Sequence, residues 1–340
     1  MLSRVAECLY WMSRSIERIE NIARIVDVNT QLMLDLPTLQ AEKLSGNWTP
    51  LVMALGDDVT FRKLKRAGSQ AGVIDFMVFD RDNPNSILGC LSSARENART
   101  VREQISTEMW GEINRFYLWI TSKNARMEYE KSAYDFFQHI KESCHRFRGT
   151  TDATMSHDEG WDFIQMGLHI ERTDKTSRIL DDEFYLLGKL SHLQGAEQLQ
   201  LNAVLRSCSA RLAYQRLYAS VFTPVNVAEF LLLSPDFPRS VLFNVRSLDE
   251  ALRRISGAPS GTFSNTPEKL SGRLLADLRY SEIADYLSRG LHQTMDELQL
   301  RLNSLGEAIA KSYMHQAEPA ILRSLRPMKK SAAQSAQQQQ

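Results

Sequence analysis

Two stretches of this chain share one pattern of apolar and charged residues, and the pattern restricts both to long helices. The first is residues 2–27, LSRVAECLYWMSRSIERIENIARIVD, and the second is residues 160–181, GWDFIQMGLHIERTDKTSRILD. Each holds a Glu-Arg pair, an acid two residues later, and an Arg-Ile pair four residues after that acid. In the first stretch, apolar residues recur every three or four positions, as in a helix with one buried face. They are Val5, Leu9, Met12, Ile16, Ile19 and Ala23.

The opposite face of the first helix carries arginines and aromatic residues, whereas flexible lysines are expected on an ordinary wet surface. The chain has no lysine before Lys43. Arginine presents a planar fork of five donors, which suits buried or bidentate pairing better than the lysine ammonium does. Arg14 and Arg18 lie on this face, with Glu17 on its flank. The pattern is therefore typical of ion pairs rather than of a solvated surface.

The second helix is expected to begin near His157, because Ser156 and Glu159 have the spacing of a capping box. Its Glu-Arg pair lies 154 positions after the first one. The same offset matches further residues, namely Ile16 with Ile170, Glu20 with Asp174, Arg24 with Arg178, Ile25 with Ile179 and Asp27 with Asp181. Two explanations fit these matches: an internal duplication of the chain, or two analogous central helices built from common helix residues.

The remaining sequence reads as helices throughout, and no pair of strands with a hairpin turn is found. We therefore predict an all-α protein, a single multi-helix bundle over residues 1–315, followed by a segment 316–340 that is low in complexity and disordered from about residue 327. The first helix should stop before Pro37. Long helices are expected over 198–218 and 283–313, with a turn over 191–195 and loops over 149–151 and 256–265.

Arginines and acids of the two Glu-Arg helices predict a polar centre. Glu17 and Glu171 are the candidate acid/base residues. The candidate ligand-binding residues are Arg14, Arg18 and Arg172, joined by Arg95 and Arg99 from the helix that follows Pro84. The centre is either a pocket in which arginines hold a carboxylate or phosphate, or a network of ion pairs that sets the register of the helices.

Two weaker patterns point to other sites. Arg239 and Ser240 follow Pro238, where free backbone N–H groups of a helix N-terminus can bind an anion, although a proline in the first turn explains most of the pattern. Glu142 and His145 have the Glu-x-x-His spacing of metal-binding bundles, but such bundles need a second copy of the motif. We therefore predict no metal site. No nucleophile motif or glycine-rich phosphate loop occurs, and no cofactor is predicted.

Composition excludes several classes of protein. The chain of 340 residues has 41 basic and 41 acidic residues, and this balance argues against nucleic-acid binding. No apolar run is long enough to span a membrane. Acids interrupt the N-terminal segment, which therefore does not resemble a signal peptide. The four cysteines are scattered and form no CxxC motif, as expected for a reduced cytoplasm.

The two Glu-Arg helices, together with residues 82–110 (DNPNSILGCLSSARENARTVREQISTEMW) and residues 222–243 (FTPVNVAEFLLLSPDFPRSVLF), resemble the bacterial alpha-E family over nearly the whole chain. This helical domain is named for its Glu-Arg motif and has no known function. Members are similar in being encoded beside, or fused to, circularly permuted ATP-grasp ligases and transglutaminase-like proteins. The resemblance therefore implies a part in peptide or amide-bond chemistry, with those two proteins as partners.

Three hypotheses of function follow. The first is an accessory or partner component of an ATP-grasp system that forms amide bonds. The second is an enzyme or small-anion binder that uses an Arg/Glu-lined cavity in the bundle core. The third is a structural scaffold that oligomerises, and the sequence leaves the oligomeric state open.

Overall fold

The described part of the chain has helices as its only regular secondary structure, as predicted. The computed structural model describes residues 1–35, 48–190, 196–219 and 221–314, and it describes the backbone alone at 34–35, 182–190 and 196. No strand occurs in these ranges. The predicted turn over 191–195 and the segment 316–340 lie outside the described residues. The first half contains Ser3–Asp35 (α1), Thr49–Ala54 (α2), Asp58–Lys63 (α3), Gln70–Ile74 (α4), Ile87–Thr100 (α5), Thr107–Ile120 (α6), Lys123–Lys131 (α7) and Ala133–Thr154 (α8). A π-helical segment, Asp75–Phe79, continues α4.

The second half repeats this order of helices. It contains Glu159–Leu190 (α9), Ala196–Ser207 (α10), Arg211–Tyr218 (α11), Pro224–Leu233 (α12), Val241–Ser256 (α13), Thr266–Tyr280 (α14), Ile283–Arg289 (α15) and Leu291–Tyr313 (α16). The two long helices α1 and α9 pack on each other in the centre. Helix α1 also packs against α5 and α8, and α9 packs in the same way against α13 and α16. Each described half therefore contributes one central helix and the helices that cover it.

Local hydrogen bonds repeat at the offset of the Glu-Arg pairs. Ser86 caps α5 by accepting from Gly89 N, and its Oγ donates to a backbone carbonyl six residues earlier, at 2.7 Å. Ser240, 154 positions later, caps α13 and donates to the carbonyl of Ser234 at 2.5 Å. Shared helix order, packing and capping together favour internal duplication over two merely analogous helices.

A glycine allows the two central helices to approach closely. A Cβ atom at Gly167 of α9 would lie 2.4 Å from the backbone oxygen of Tyr10 in α1. Real atoms do not approach so closely, and only a residue without a side chain fits here. The close approach brings the charged residues of α1 and α9 within reach of each other.

Several predicted bounds are wrong. Helix α8 continues through the expected loop at 149–151, because Thr151 hydroxyl and backbone groups bond within the helix. The helix expected over 198–218 ends at Ser207 and resumes at Arg211, and the one over 283–313 is interrupted at Gly290, whose φ is +89°. Helix α13 begins after Ser240 rather than at Pro238, since the Ser240 hydroxyl caps it. The loop over 256–265 is confirmed to lie between α13 and α14.

Candidate functional site

The two Glu-Arg pairs meet in the centre of the molecule and exchange partners. Arg18 on α1 donates from Nε to Glu171 Oε1 on α9 at 2.7 Å. Arg172 on α9 places its Nε 3.1 Å from Glu17 Oε2 on α1. Each motif glutamate therefore pairs with the motif arginine of the other half. This reciprocal arrangement explains why the same two residues occur at the same position in both central helices.

Glu171 is enclosed by cations. Its carboxylate accepts from Arg14 Nε at 2.8 Å and from Arg18, and Lys175 Nζ lies 3.8 Å away. The residue has no exposed surface. Burial alone raises the pKa of this carboxyl, but the Arg18 and Arg14 guanidiniums outweigh it and lower the pKa to about 2. Glu171 is thus an ionised acceptor whose two oxygens are both bonded, which suits a structural carboxylate better than an acid/base catalyst.

Glu17 pairs with three arginines, one from α8, one from α9 and one from the turn before α13. Arg239 Nη1 donates to Glu17 Oε1 at 2.7 Å, and Arg148 Nη2 lies 2.6 Å from Oε2. Arg172 is the third of these arginines. Burial opposes ionisation of Glu17, yet the pKa of this carboxyl is lowered, because Arg148, Arg172 and Arg239 all favour the charged form.

Glu20 extends this cluster by one helical turn. It accepts from Arg239 at 2.6 Å and from Arg24 at 2.5 Å, and it also bonds Arg148. His145 Nε2 lies 3.2 Å from the same carboxylate. The cluster formed by Glu17, Glu20, Arg24, Arg148, Arg172 and Arg239 therefore holds two acids and four arginines. We call it the cationic cluster.

The cationic cluster has more arginines than acids, so it lacks negative charge to balance its positive charge. The pKa of Arg172 is lowered to about 10, because burial disfavours its charge and Arg239 and Arg148 repel it, and the attraction of Glu17 only partly offsets these effects. Nε of Arg148 and Nε of Arg172 have no hydrogen-bond acceptor among the described residues, although both arginines contact Glu17. Buried donors without acceptors are unfavourable, and an anion beside these two guanidiniums would offset their unbalanced charge.

A cleft of about 260 Å³ opens beside these two arginines, between α1, α8 and α9. The residues around it are Ser13, Ile16, Phe147, Arg148, Thr151, Asp152, Trp161, Ile164, Gln165, Leu168 and Arg172. One end of this open cleft is thus charged, and most of the remaining wall is apolar. The arrangement has the composition of a small-molecule site, with a few polar groups set in an apolar surround.

The duplication places an equivalent cleft in the other half, and this one is nearly filled. It measures about 30 Å³ and is bounded by Tyr10, Trp11, Arg14, Leu302 and Gly306, among others. The Trp11 indole packs edge-on against the Tyr10 ring and lies 4.8 Å from the Arg14 guanidinium. At the corresponding positions the open cleft has the smaller Ile164, Gln165 and Leu168. We call the second one the closed cleft.

Two predicted members of the polar centre lie elsewhere. Arg95 donates to Asn114 at 2.9 Å and lies over the Tyr117 ring, and Arg99 pairs with Glu96 at the surface. The buried face of α5 is apolar and faces α1, so arginines on its other faces point toward α6 and solvent. The expectation that Arg95 and Arg99 join the centre is therefore wrong.

Arg239 and Ser240 have roles other than the one predicted. Arg239 points inward and donates to Glu17 and Glu20, and the Ser240 hydroxyl caps α13. Both side chains are therefore bonded to other described residues. Arg148 was missed by the sequence analysis, because it lies in a segment interpreted as the approach to a loop. Arg148 lies three residues from both His145 and Thr151, and this helical spacing could have indicated that it belongs to the face of α8 that meets α1.

Residues able to hold a metal ion lie away from the centre. Glu142 accepts from Gln138, while His145 contacts Glu20, so the predicted Glu-x-x-His spacing does not form a site of its own. Ligand atoms of Asp181, His292 and Asp296 lie within 4.8 Å of one another on the partly exposed surface of α9 and α16. Such a group has suitable donors for a divalent cation, but exposed acids often cluster without one. The absence of a metal site stays a prediction.

Comparison with known proteins agrees with this architecture. Residues 1–314 match the alpha-E family, described as a predicted alpha-helical domain with a conserved ER motif. The chain is 26% identical over 313 residues to uncharacterized proteins of Mycobacterium bovis and Mycobacterium tuberculosis, covering 87% of this chain and 34% of their length. It therefore spans about a third of these curated relatives. No solved structure matches the chain. In the described part of the chain, no helix is long and apolar enough to cross a bilayer. The chain belongs to the alpha-E family, and the reciprocal ion pairs of Glu17, Arg18, Glu171 and Arg172 contain its Glu-Arg motif.

Proposed function

We propose that this protein binds a small anion, a carboxylate or a phosphate, in the open cleft. The observation that supports this proposal is the position of Arg148 and Arg172, which line a cleft of about 260 Å³ while each retains an Nε without an acceptor among the described residues. Guanidinium groups bind carboxylates and phosphates through parallel hydrogen bonds. An anion would also reduce the positive excess of the cationic cluster.

Binding is favoured over acid–base catalysis. Glu171 is fully buried with both oxygens bonded, and Glu17 is surrounded by three arginines. The pKa of each carboxyl is lowered, so both remain ionised near neutral pH and are poor proton donors there. Their geometry supports a role in positioning Arg172 and Arg18. Glu17 and Glu171 as catalytic residues stay a prediction that no observation on the site favours.

The test is a thermal-shift and calorimetric screen of acetate, longer carboxylates and inorganic phosphate against the full chain. We expect at least one of these anions to raise the melting temperature, because a ligand at 100 times its Kd stabilises the folded state by about 2.7 kcal/mol. Gln165→Trp places in the open cleft the residue that fills the closed cleft at Trp11, and it should abolish the shift. The exposed Gln293→Trp is the matched control and should retain it. No shift with any anion would overturn the proposal.

A second candidate is the partner role that the family resemblance implies. The mycobacterial relatives are almost three times as long as the segment they share with this chain, which supports a domain that works beside other domains. A carboxylate held by Arg148 and Arg172 is also the group that an amide-forming ligase activates. The protein would then be a cytoplasmic partner of an ATP-grasp ligase or a transglutaminase-like protein. If the purified chain neither binds a co-encoded ligase nor changes its turnover, this candidate is wrong.

A further inference from the structure

We infer that the ligand of the open cleft is a zwitterion with an apolar group, the chemical class of α-amino acids with apolar side chains. This inference rests on the proposed binding of an anion at Arg148 and Arg172, and it adds two features of the ligand. One is a positive group at the rim of the cleft. The other is an apolar side chain, which branches from the carbon that carries the carboxylate and the positive group.

Asp152 supplies the acid for the positive group. It lies four residues after Arg148 on α8, a spacing at which an arginine and an aspartate usually pair. Arg148 instead reaches inward to Glu17 and Glu20. Among the described residues, the basic group within 4.0 Å of the Asp152 carboxylate is the His157 imidazole, at 3.8 Å, and 70% of the Asp152 side chain is exposed. The cleft therefore has cations at its inner end and a carboxylate at its mouth.

The walls beside the two charged groups fit an apolar side chain of modest size. Phe147, Ile164, Leu168 and Trp161 contribute side chains, and the Trp161 indole is held in place by stacking on His157 at 3.9 Å. The volume of about 260 Å³ is below the ~300–1,000 Å³ typical of sites for drug-sized ligands. A free amino acid matches this size, and a nucleotide or a folded peptide does not.

The closed cleft shows that these features are specific to one half. Helices α8 and α16 begin 158 positions apart, at Ala133 and Leu291, so the positions equivalent to Arg148 and Asp152 are Gly306 and Ala310. The arginine and the aspartate that α8 contributes to the open cleft thus have no charged counterpart at these positions of α16, and the charged residues that line the closed cleft are Arg14, Asp174 and Glu307. Because the two clefts share one framework of helices, the charges at the open cleft are not a requirement of that framework.

The experiment compares three probes by isothermal titration calorimetry: L-leucine, its des-amino analogue 4-methylpentanoate, and isoamylamine. We expect L-leucine to bind most tightly and isoamylamine not to bind. Asp152→Asn should weaken L-leucine about fivefold, as for an exposed ion pair, and leave 4-methylpentanoate unchanged. Asp135→Asn, on an exposed position of the same helix, is the control.

The outcomes separate the two proposals. Equal affinities for L-leucine and 4-methylpentanoate, or no effect of Asp152→Asn on L-leucine, would overturn the zwitterion and leave the anion site in place. Binding of phosphate but of none of the three probes would also overturn the zwitterion and leave the anion site in place. If none of the carboxylates or phosphate binds, the proposed anion site itself is wrong. Loss of L-leucine binding in Gln165→Trp but not in Gln293→Trp would assign the binding to the open cleft.

Discussion

Arg18 and Glu171 form a two-point ion pair across the central helices, with Nε 2.7 Å from Oε1 and Nη2 3.2 Å from Oε2. Its counterpart in the other half, between Arg172 and Glu17, is a single contact, because Arg148 and Arg239 share the Glu17 carboxylate. The two halves thus use one motif differently. The first pair joins two guanidinium nitrogens to one carboxylate, and the second leaves Arg172 lining the open cleft.

Glu171→Gln is expected to lower the free energy of unfolding by about 3–5 kcal/mol, because it leaves the buried guanidiniums of Arg14 and Arg18 without a counter-charge. Urea denaturation followed by circular dichroism measures the change. Glu96→Gln removes an exposed acid that pairs only at the surface, and its effect should stay within about 0.5 kcal/mol. Equal stability of the two variants would show that the central pair does not hold the fold together.

Stability should fall as the solution is acidified from about pH 4.5 to pH 2. The pKa of Glu171 is about 2 in the folded protein and 4.5 for an unperturbed glutamate, so the unfolded chain takes up a proton first. The contribution of this group is complete above pH 4.5 and is lost toward pH 2. Melting temperatures measured across this range should decline more steeply for the wild type than for Glu171→Gln. Parallel curves would contradict the assignment.

His169 should remain neutral well below the usual pH of histidine ionisation. It is buried between α9 and α13, where Nδ1 lies 2.8 Å from Asn244 Oδ1, and burial lowers its pKa from 6.5 to about 4. Stability from the neutral ring is present above pH 6.5 and decreases as the pH falls toward 4. The ring proton signals in NMR, assigned by their loss in His169→Gln, should not move between pH 7.5 and about pH 5.5. A midpoint near 6.5 would refute this prediction.

Gly167→Ala should destabilise the protein by about 1–3 kcal/mol, the usual cost of overpacking, because the new methyl group meets the Tyr10 backbone oxygen and separates α1 from α9. Gly149→Ala is the matched control. No atom lies within 4 Å of a Cβ at that helical position, and alanine should stabilise α8 by about 0.5–1 kcal/mol. The two substitutions are therefore expected to have opposite signs in thermal denaturation.

Trp11→Ala should reduce stability by about 2–3 kcal/mol, since it removes the ring contact with Tyr10 at 5.3 Å and the contact with Arg14. Anion affinity at the open cleft should not change, because Trp11 belongs to the closed cleft. Calorimetry on this variant distinguishes the two clefts directly. A loss of affinity equal to that of Gln165→Trp would mean that they do not act independently.

The sequence predicted the helical fold and the pairing chemistry of the central helices, because both depend on local patterns. Apolar spacing identified α1, and the Glu-Arg pairs identified Arg14, Arg18, Glu17 and Glu171 as members of one centre. The ends of the helices were predicted less accurately. The hydroxyl of Ser240 caps α13 although Pro238 looked like the start, and Gly290 interrupts a pattern that is otherwise continuous.

The remaining site residues could not be predicted, because their roles depend on contacts distant in sequence. Arg239 reaches Glu17 across 222 positions, and Arg148 reaches Glu20 across 128. Arg95 has the same local spacing as a member of the centre, yet it faces α6. The spacing of residues 161–172 does not indicate whether the cleft beside them is open or filled. The packing of the two halves shows that the cleft beside residues 161–172 is open and that its counterpart is filled.

The repeat of eight helices, in which the two Glu-Arg pairs lie 154 residues apart, has a consequence for how the two clefts can change. In a symmetric homodimer, every substitution occurs twice, and a residue that fills one site fills its mate as well. A chain that carries both copies is free of this constraint. Trp11 can fill the closed cleft and stabilise the fold, while Gln165 at the equivalent position leaves space for a ligand in the open cleft. Substitutions in one cleft can therefore change stability while substitutions in the other change ligand binding, within a single polypeptide.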